Sequence, residues 1–382
     1  MKVSISVGGR FHGFNMASYF QKQGILKQLV TGYPKSVANK FGIHKKNVLS
    51  IYINELINRF TNKIGLGYPL NYYACEIYDF LAARLINKSS DIYFIWSGYG
   101  LKTIRAIRDV NPKAKIILVR GSSHISEQQA LLKLLGPKNS NIIDQRLINK
   151  ELKEYEEVDF ITVPSTFVYN TFIERGFNPE KLFLNFLGVD LEQFPFKPKM
   201  LKSDKLVFGN IGTLSDRKNV TAIIKVIAEL NGLGHNIELI LVGPIDYESF
   251  NQSLLENFDF LKYKGKINQE ELYQVYSEID VFVINSIEEG MAMVQLQAMS
   301  CGCPIIATTN SGGLDLITNY ENGIVIPILD NDALKTGIIW FCENRDKITE
   351  MGVKSFEKVK EGFTWDDFGR RNLQFMSKIL KN

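Results

Sequence analysis

The sequence predicts an α/β protein of two doubly wound domains, each a parallel sheet covered by helices, with a ligand cleft between them. A chain of 382 residues is long enough for two hydrophobic cores. Short apolar runs that end in small or polar residues alternate with helical patterns along most of it. This alternation is interrupted at the Pro- and Lys-rich segment 194–199, after which a second series begins. We therefore predict a first domain at 1–196, a second at 197–363, and a final helix at 364–382 that packs back on the first.

The first domain is predicted to open with a strand, a glycine-bearing loop and a helix, the unit that begins a doubly wound sheet. The strand is predicted at Lys2–Val7 and the helix at 15–23. The loop between them carries Gly8, Gly9 and Gly13, whose spacing is not that of a dinucleotide-binding loop. Further strands are predicted at Ile92–Trp96, Lys115–Val119 and Phe160–Val163.

The second domain repeats the pattern of strand, loop and helix. Its strands are predicted at Leu206–Ile211, Ile237–Val242, Val281–Ile284, Ile305–Thr308 and Ile324–Pro327. Apolar residues at helical spacing follow the first of these strands between 220 and 230. Near the end of the chain, Thr364 and Asp367 have the spacing of a capping box, which predicts the start of the final helix.

The composition indicates a soluble globular protein, with 45% hydrophobic and 23% charged residues. A net charge of +4 favours anionic partners without requiring nucleic acid, so none is expected. Four cysteines in a chain of this length predict reduced thiols rather than a disulfide framework, and their spacing is not that of a zinc site. No signal peptide or apolar run of 18 residues is recognisable, which leads us to expect a cytoplasmic protein.

The segment 289–304 is the most informative part of the sequence. It lies between two predicted strands and has the pattern of a loop followed by a helix. The unpaired N–H groups of a helix start suit phosphates and sugar hydroxyls, and Gly290 allows the backbone to approach a ligand closely. Glu289 can accept hydrogen bonds from hydroxyls, and Gln297, two helical turns later, projects from nearly the same face.

This segment resembles the donor-sugar motif of the family 4 retaining glycosyltransferases, which is a Glu, seven residues and a second Glu. Glu289 stands at the first position, whereas Gln297 departs from the family pattern at the second. The segment 211–220 resembles the family's pyrophosphate loop, with Lys218 on the family lysine and Thr213 where many members have Arg. The resemblance extends over nearly the whole chain through the segments 159–165, 187–190, 264–280 and 298–304.

The resemblance implies the GT-B architecture of two Rossmann-like domains. It also implies transfer of a sugar from a nucleotide-diphosphate sugar to a hydroxyl with retention of anomeric configuration. Glu289, Lys218 and His124 would be the catalytic residues, acting on the sugar hydroxyls, the diphosphate and the transferred sugar respectively, while Gln297 would bind the ribose. The other donor-binding candidates lie on the same loops and on the first glycine loop: Gly9, Thr213, Arg217, Gly290, Met291, Ala292 and Met293.

Each assignment has a structural alternative. Arg217 and Lys218 also fit a solvated pair at a helix start, and Gln297 also fits a surface position on its helix. His124 also fits an ordinary loop residue, and His12 either faces the cleft or caps a turn.

No metal or other cofactor is expected. The sequence lacks an Asp-x-Asp pair on a loop between strands, the arrangement that would hold a divalent ion under a diphosphate. The positive charge would then come from Lys218 and Arg217, as in a metal-independent transferase. No Ser/His/Asp or Cys/His arrangement typical of a hydrolase is recognisable.

The region 33–73 is basic and aromatic, and its segment 51–60 has the pattern of an amphipathic helix. It fits a patch that contacts the inner face of a membrane and binds a lipid-linked acceptor. It fits equally well a helix that packs on its own domain beneath solvated lysines.

Three functions remain open. The first is a transferase in bacterial surface polysaccharide, lipopolysaccharide or glycolipid biosynthesis, acting on a glycan or lipid-linked acceptor. The second is a nucleotide-sugar-binding scaffold without turnover, supported by the departures at Thr213 and Gln297. The third is a nucleotide-sugar epimerase, which would turn over the donor without an acceptor.

Overall fold

The computed structural model describes residues 1–52, 67–136, 143–200 and 204–381, and it contains two parallel sheets covered by helices. The first sheet has the strand order β3-β2-β1-β4-β5-β6-β7, and the second has the order β10-β9-β8-β11-β12-β13. All neighbouring strands in both sheets are parallel. The predicted α/β class is therefore confirmed, with one doubly wound sheet in each half of the chain.

The strands of the first sheet are β1 (Val3–Val7), β2 (Leu26–Thr31), β3 (Val48–Ser50), β4 (Ile92–Trp96), β5 (Lys115–Val119), β6 (Phe160–Val163) and β7 (Leu182–Leu184). Those of the second are β8 (Leu206–Ile211), β9 (Ile237–Val242), β10 (Leu261–Tyr263), β11 (Val281–Ile284), β12 (Ile305–Thr308) and β13 (Gly323–Ile326).

The α-helices up to the end of the first sheet are α1 (Gly13–Lys22), α2 (Lys35–Lys40), α3 (Gly67–Leu85), α4 (Leu101–Val110), α5 (Ile125–Lys133), α6 (Gln145–Glu157) and α7 (Thr166–Ile173). Those that follow are α8 (Val220–Gly232), α9 (Leu272–Glu278), α10 (Met293–Ser300), α11 (Gly313–Leu316), α12 (Asn331–Glu343), α13 (Ile348–Lys360) and α14 (Trp365–Ile379).

The long apolar strands lie where the sequence predicted them, because each is buried along its whole length or nearly so. Four strands were missed. Three of them, β3, β7 and β10, have three residues each, too few to show a period. The fourth, β2, carries exposed Lys27 between its buried positions. The amphipathic helix predicted at 51–60 lies almost wholly outside the described residues.

Both sheets reverse their strand order beside their first strand, between β1 and β4 and between β8 and β11. In open α/β sheets, ligands bind at such switch points, outside the carboxyl ends of the strands. In the second sheet the switch point brings together the loops 212–219 and 285–292. These loops carry most of the predicted donor-binding residues.

The final helix, α14, packs against the first domain. Its capping box is present: the Thr364 hydroxyl accepts from the backbone N–H of Asp367. The Arg371 guanidinium donates to Asn185 Oδ1 at 2.7 Å, and the Phe375 ring stacks on Phe183 with centroids 4.1 Å apart. The chain thus crosses between the two sheets after β7 and returns before α14. Within the described residues, no helix has the length and apolarity needed to cross a bilayer.

Candidate active site

Glu289 lies at the second switch point between two cations. Its carboxylate accepts from Arg217 Nη1 at 2.8 Å and forms an ion pair with Lys218 Nζ. The Glu289 side chain is only 15% exposed. Burial by itself would raise the pKa of Glu289, but the charges of Lys218 and Arg217 lower it below its usual value. The carboxylate is therefore ionised, and the three side chains together carry one positive charge.

The two loops that hold this cluster are fixed to one another by two hydrogen bonds. The Ile287 N–H donates to the carbonyl of Arg217 at 2.9 Å, and Arg217 Nη1 donates to the carbonyl of Glu288 at 2.6 Å. The Glu289 N–H donates to the carbonyl of Asn310 at 3.0 Å, which ties the site to the loop after β12. The structure therefore brings Arg217, Lys218 and Glu289 together, while their roles toward a diphosphate and a sugar stay predictions. The alternative of a fully solvated pair does not fit these contacts.

Two helices begin at this cluster without a side-chain cap. Helix α8 starts after Asn219, which has the left-handed φ of 50°, and α10 starts after Ala292. Gly290, Met291 and Ala292 are buried beside the start of α10. Uncapped helix starts leave N–H groups and a partial positive charge for an anion. Thr213 lies exposed on the loop before α8.

Gln297 is buried, with 5% of its side chain exposed, so the alternative of a surface position is wrong. Its Oε1 accepts from the hydroxyl of Tyr276 at 3.1 Å. The sequence predicted a carbonyl oxygen available to the ribose, but the fold uses this oxygen inside the second domain. This oxygen has a second lone pair, so the carbonyl as well as the amide N–H groups of Gln297 can still contact a ligand.

The His124 side chain is engaged by contacts within the first domain. It is 3% exposed, its Nδ1 accepts from the backbone N–H of Ser126 at the start of α5, and its ring packs against Tyr155, Phe172 and Phe177. Burial, assisted by the nearby cations Arg175 and Arg120, lowers the pKa of His124 to about 3. The structure thus gives His124 a capping and packing role, and its contact with the transferred sugar stays a prediction.

The first glycine loop follows β1 at the other switch point. The Gly9 carbonyl accepts from Thr31 Oγ1 at 3.2 Å, a contact within the first domain. The His12 ring packs between Trp96 and Phe368, and burial lowers the pKa of His12 to about 4. The next residues are more open: Phe11 is 56% exposed with a φ of 37°, and Arg10 Nη2 donates to Gln269 Oε1 of the second domain at 3.3 Å.

Glu288 is a site-loop residue that the sequence analysis did not single out. Its carboxylate is fully buried and reaches the first domain, where Oε1 accepts from Ser122 Oγ at 2.7 Å and from Ser123 Oγ at 2.8 Å. The two adjacent acidic residues were visible in the sequence. No spacing rule, however, indicated that their side chains face opposite domains.

Other contacts join the second domain to the first, one at this loop and one at α11. Ser165 Oγ donates to the carbonyl of Gly290 at 2.6 Å, and the Thr166 N–H donates to Asp315 Oδ2 at 2.9 Å. Gly290 is packed so closely that a Cβ atom on it would lie 1.7 Å from the carbonyl oxygen of Gly121. The loop 288–290 is therefore part of the contact between the domains as well as part of the site.

Metal-ligating side chains do not cluster in the described part of the chain: it holds no group of three or more His, Cys, Asp or Glu residues close enough for an ion. The four cysteines are free thiols. Of the region 33–73, the structure describes residues 33–52 and 67–73. The rings of Tyr72 and Tyr73 lie under the guanidinium of Arg146, which belongs to α6.

Residues 192–357 match the family model described as "Glycosyl transferases group 1". This stretch includes every predicted donor-binding residue of the second domain. The resemblance predicted from the sequence is thereby confirmed at the level of group 1, and the assignment to family 4 stays a prediction.

The chain is also similar to individual proteins. It is 24% identical to a GDP-mannose-dependent monoacylated alpha-(1-6)-phosphatidylinositol monomannoside mannosyltransferase of Corynebacterium glutamicum, over 56% of this chain and 61% of that one. The match thus spans less than two thirds of that relative. In structure, the chain is similar to sucrose-phosphate synthase from Thermosynechococcus elongatus, with a TM-score of 0.72, 15% identity and coverage of 100% and 99% of the two chains. It is also similar to Anabaena HepE in complex with UDP, with a TM-score of 0.69, 13% identity and coverage of 99% and 100%. These likenesses show the fold, which is GT-B as predicted.

The close contact at Gly290 predicts an asymmetric effect of two alanine substitutions. Gly290→Ala should force its loop away from Gly121 and lower the free energy of unfolding by about 1–3 kcal/mol, since a tightly packed contact does not accept a methyl group. Gly121→Ala is the matched control, because a Cβ atom there would have no neighbour within 4 Å. Thermal denaturation and amide hydrogen exchange of residues 120–124 measure the difference. Equal effects of the two substitutions would contradict this packing.

The buried His124 predicts a specific pH dependence of stability. In the unfolded chain a histidine binds a proton below a pKa of about 6.5, whereas in the folded protein the pKa of His124 is about 3. The unfolded state therefore binds more protons between these values, and stability falls as the pH is lowered through this range.

The substitution His124→Asn replaces the capping ring nitrogen by a capping amide oxygen and removes the titrating ring. We expect a lower stability at every pH, because the aromatic cluster loses packing, and a shallower loss of stability between pH 6.5 and 4. Urea unfolding at several pH values measures the slope. His44→Asn, at an exposed position, serves as the control, and an unchanged slope in His124→Asn would contradict the prediction.

Proposed function

We propose that this protein is a glycosyltransferase that moves a sugar from a nucleotide-diphosphate sugar to a hydroxyl acceptor with retention of anomeric configuration. The observation that carries the proposal is the Glu289 cluster: one carboxylate and two cations lie between two uncapped helix starts at a topological switch point. The match of residues 192–357 to the group 1 glycosyl transferases supports it, because that stretch contains the whole cluster.

The donor diphosphate would bind to Lys218 and Arg217. These cations also pair with Glu289, so a bound diphosphate would compete with the carboxylate for them. Glu289 would then be released to accept hydrogen bonds from the sugar hydroxyls. The N–H groups at the starts of α8 and α10 add a partial positive charge toward the same position.

The chemistry that this arrangement favours is departure of the nucleotide diphosphate. As the bond between the anomeric carbon and the phosphate oxygen breaks, negative charge develops on that oxygen. Fixed cations and helix starts stabilise this charge without reorganising, which is compatible with a metal-independent reaction. Retention requires that the acceptor hydroxyl bind the anomeric carbon on the face that the phosphate leaves, where the phosphate oxygen can take the hydroxyl proton.

The acceptor would bind to the first domain, near the exposed side chains of Arg10 and Phe11. Phe11 offers an aromatic face, and Arg10 offers a cation for an anionic group on a glycan or a lipid carrier. The named substrate of the Corynebacterium relative is a glycolipid, which supports surface polysaccharide or glycolipid biosynthesis at the inner face of the membrane as the setting.

Two other functions make different predictions. A binding scaffold without turnover is favoured by one observation: the Gln297 carbonyl accepts from Tyr276, so one of its two lone pairs is not available to the ribose. A nucleotide-sugar epimerase would turn over the donor without an acceptor. A transferase releases nucleotide efficiently only when an acceptor is present.

A binding screen tests the proposal directly. The folded protein is titrated in a calorimeter with UDP, GDP, ADP, CMP and their common sugars, and nucleotide release is then measured with and without glycan and lipid acceptors. Binding of one nucleotide family, with release that depends on an acceptor, is the expected result. Binding without release under any acceptor would favour the scaffold, and no binding at all would contradict a nucleotide-sugar site.

The assignment of Lys218 predicts a large loss on substitution. Lys218→Ala should reduce turnover by about a hundredfold or more, because a fixed cation facing the leaving phosphates is removed. Lys225→Ala, at an exposed position of α8, is the matched control and should retain the wild-type rate. Steady-state nucleotide release is the measurement, and a near-normal rate in Lys218→Ala would contradict the phosphate assignment.

A further inference from the structure

Glu288 has an unusual environment for a buried carboxylate. It is 0% exposed, and every hydrogen bond that the structure shows for its carboxylate comes from the first domain. Oε1 accepts from Ser122 Oγ at 2.7 Å and from the N–H and Oγ of Ser123 at 3.0 and 2.8 Å. Oε2 accepts from Gln128 Nε2 at 3.2 Å. A buried charge without these donors would be strongly destabilised, so Glu288 is satisfied only when the domains are in contact or when water reaches it.

The donors are themselves held in place by a second set of contacts. Arg120 Nη2 donates to Gln128 Oε1 at 2.7 Å, which turns the amide nitrogen of Gln128 toward Glu288. Arg120 Nε donates to the carbonyl of Ser123 at 2.9 Å, and its Nη1 forms an ion pair with Glu151 at 3.0 Å. The Glu288 carboxylate of the second domain therefore contacts donors that Arg120 already holds in place.

Glu288 is also the direct neighbour of Glu289 in the chain. The Glu289 carboxylate is held within the second domain by Arg217 and Lys218, whereas Glu288 is held by the first domain. The carbonyl of Glu288 accepts from Arg217 Nη1, so the same peptide segment contacts both sides. A displacement of the first domain therefore acts on the backbone next to Glu289.

We propose that Glu288 is a positioning residue that couples the contact between the domains to the geometry of Glu289. The loop 288–290 is held in the arrangement needed for sugar transfer only while Ser122, Ser123 and Gln128 hold the Glu288 carboxylate. This inference rests on the proposed function for its activity readout, and it has a structural readout that does not depend on activity.

The test uses a pair of conservative substitutions in the full chain. Glu288→Gln keeps Oε1 but places an amide nitrogen against Gln128 Nε2, so two donors face each other. In the double variant Glu288→Gln/Gln128→Glu, the amide introduced at position 288 can donate to the carboxylate introduced at position 128. Arg120 can continue to donate to that carboxylate as well. The swap therefore restores the hydrogen bond with donor and acceptor exchanged.

Two measurements are made on the same samples. Hydrogen exchange should become at least tenfold faster at amides 120–124 and 287–292 in Glu288→Gln and return to near the wild-type rate in the swapped pair.

Nucleotide release is measured with UDP-glucose first, since HepE was solved with it, or with the nucleotide sugar that binds in the screen. Here kcat should fall at least tenfold with KM for the donor within threefold, since misplacing a contact by a fraction of an ångström lowers the rate more than the affinity. The swap should restore kcat to within threefold.

The controls separate this role from a general loss of stability. Glu278→Gln, a carboxylate on the surface of the second domain, should change neither readout. Ser122→Ala removes one hydrogen-bond donor to Glu288, and it replaces Glu288→Gln as the test variant if that protein does not fold. Unchanged exchange at both loops in Glu288→Gln, or a swap that restores exchange but not kcat, overturns the coupling. An inactive wild-type protein would contradict the proposed function, while the exchange measurement would still decide whether Glu288 holds the two loops.

Discussion

The loop 288–290 contacts both domains at once, and this constraint determines much of the geometry of the site. Glu289 turns back to the cations of its own domain, Glu288 reaches into the other, and Gly290 lies against the Gly121 backbone without room for a side chain. These three successive residues leave the loop little freedom. The site is therefore a property of the domain contact as well as of the second sheet.

The position of the site could be predicted from the sequence, because it depends on patterns of several residues. Buried parallel strands are recognisable in the sequence as continuous apolar runs. The order of these strands in the sheet determines the switch point at which their loops meet. The Thr364–Asp367 capping box was likewise a local pattern and is present. The strand pattern indicated the loops after β8 and β11, whereas the roles of Glu289 and Lys218 on those loops came from the family resemblance; their ion pairs with each other and with Arg217 appear only in the structure.

The direction of individual side chains could not be predicted. His124 was expected at the ligand and caps a helix inside an aromatic cluster; Gln297 was expected to offer its carbonyl and gives it to Tyr276. Glu288 was not selected at all. The cap that His124 forms with Ser126 is local, but the aromatic partners of its ring come from α6 and α7, and the partners of Gln297 and Glu288 lie at least 20 residues away in the chain. Contacts of this kind depend on the packed fold, and no local pattern encodes them.

The return of α14 to the first sheet has a consequence for biosynthesis. Helix α14 covers α1 so closely that a methyl group on Gly369 would overlap the Tyr19 ring, and Arg371 satisfies the carbonyl of Phe186 at 2.8 Å. As the chain leaves the ribosome, β1 to β7 emerge first, yet this surface remains uncovered until residues 365–379 have been translated. The second domain can complete its sheet before the first domain is fully packed. A nascent chain arrested before α14 would thus expose apolar surface of the amino-terminal half, a form that chaperones retain and proteases remove.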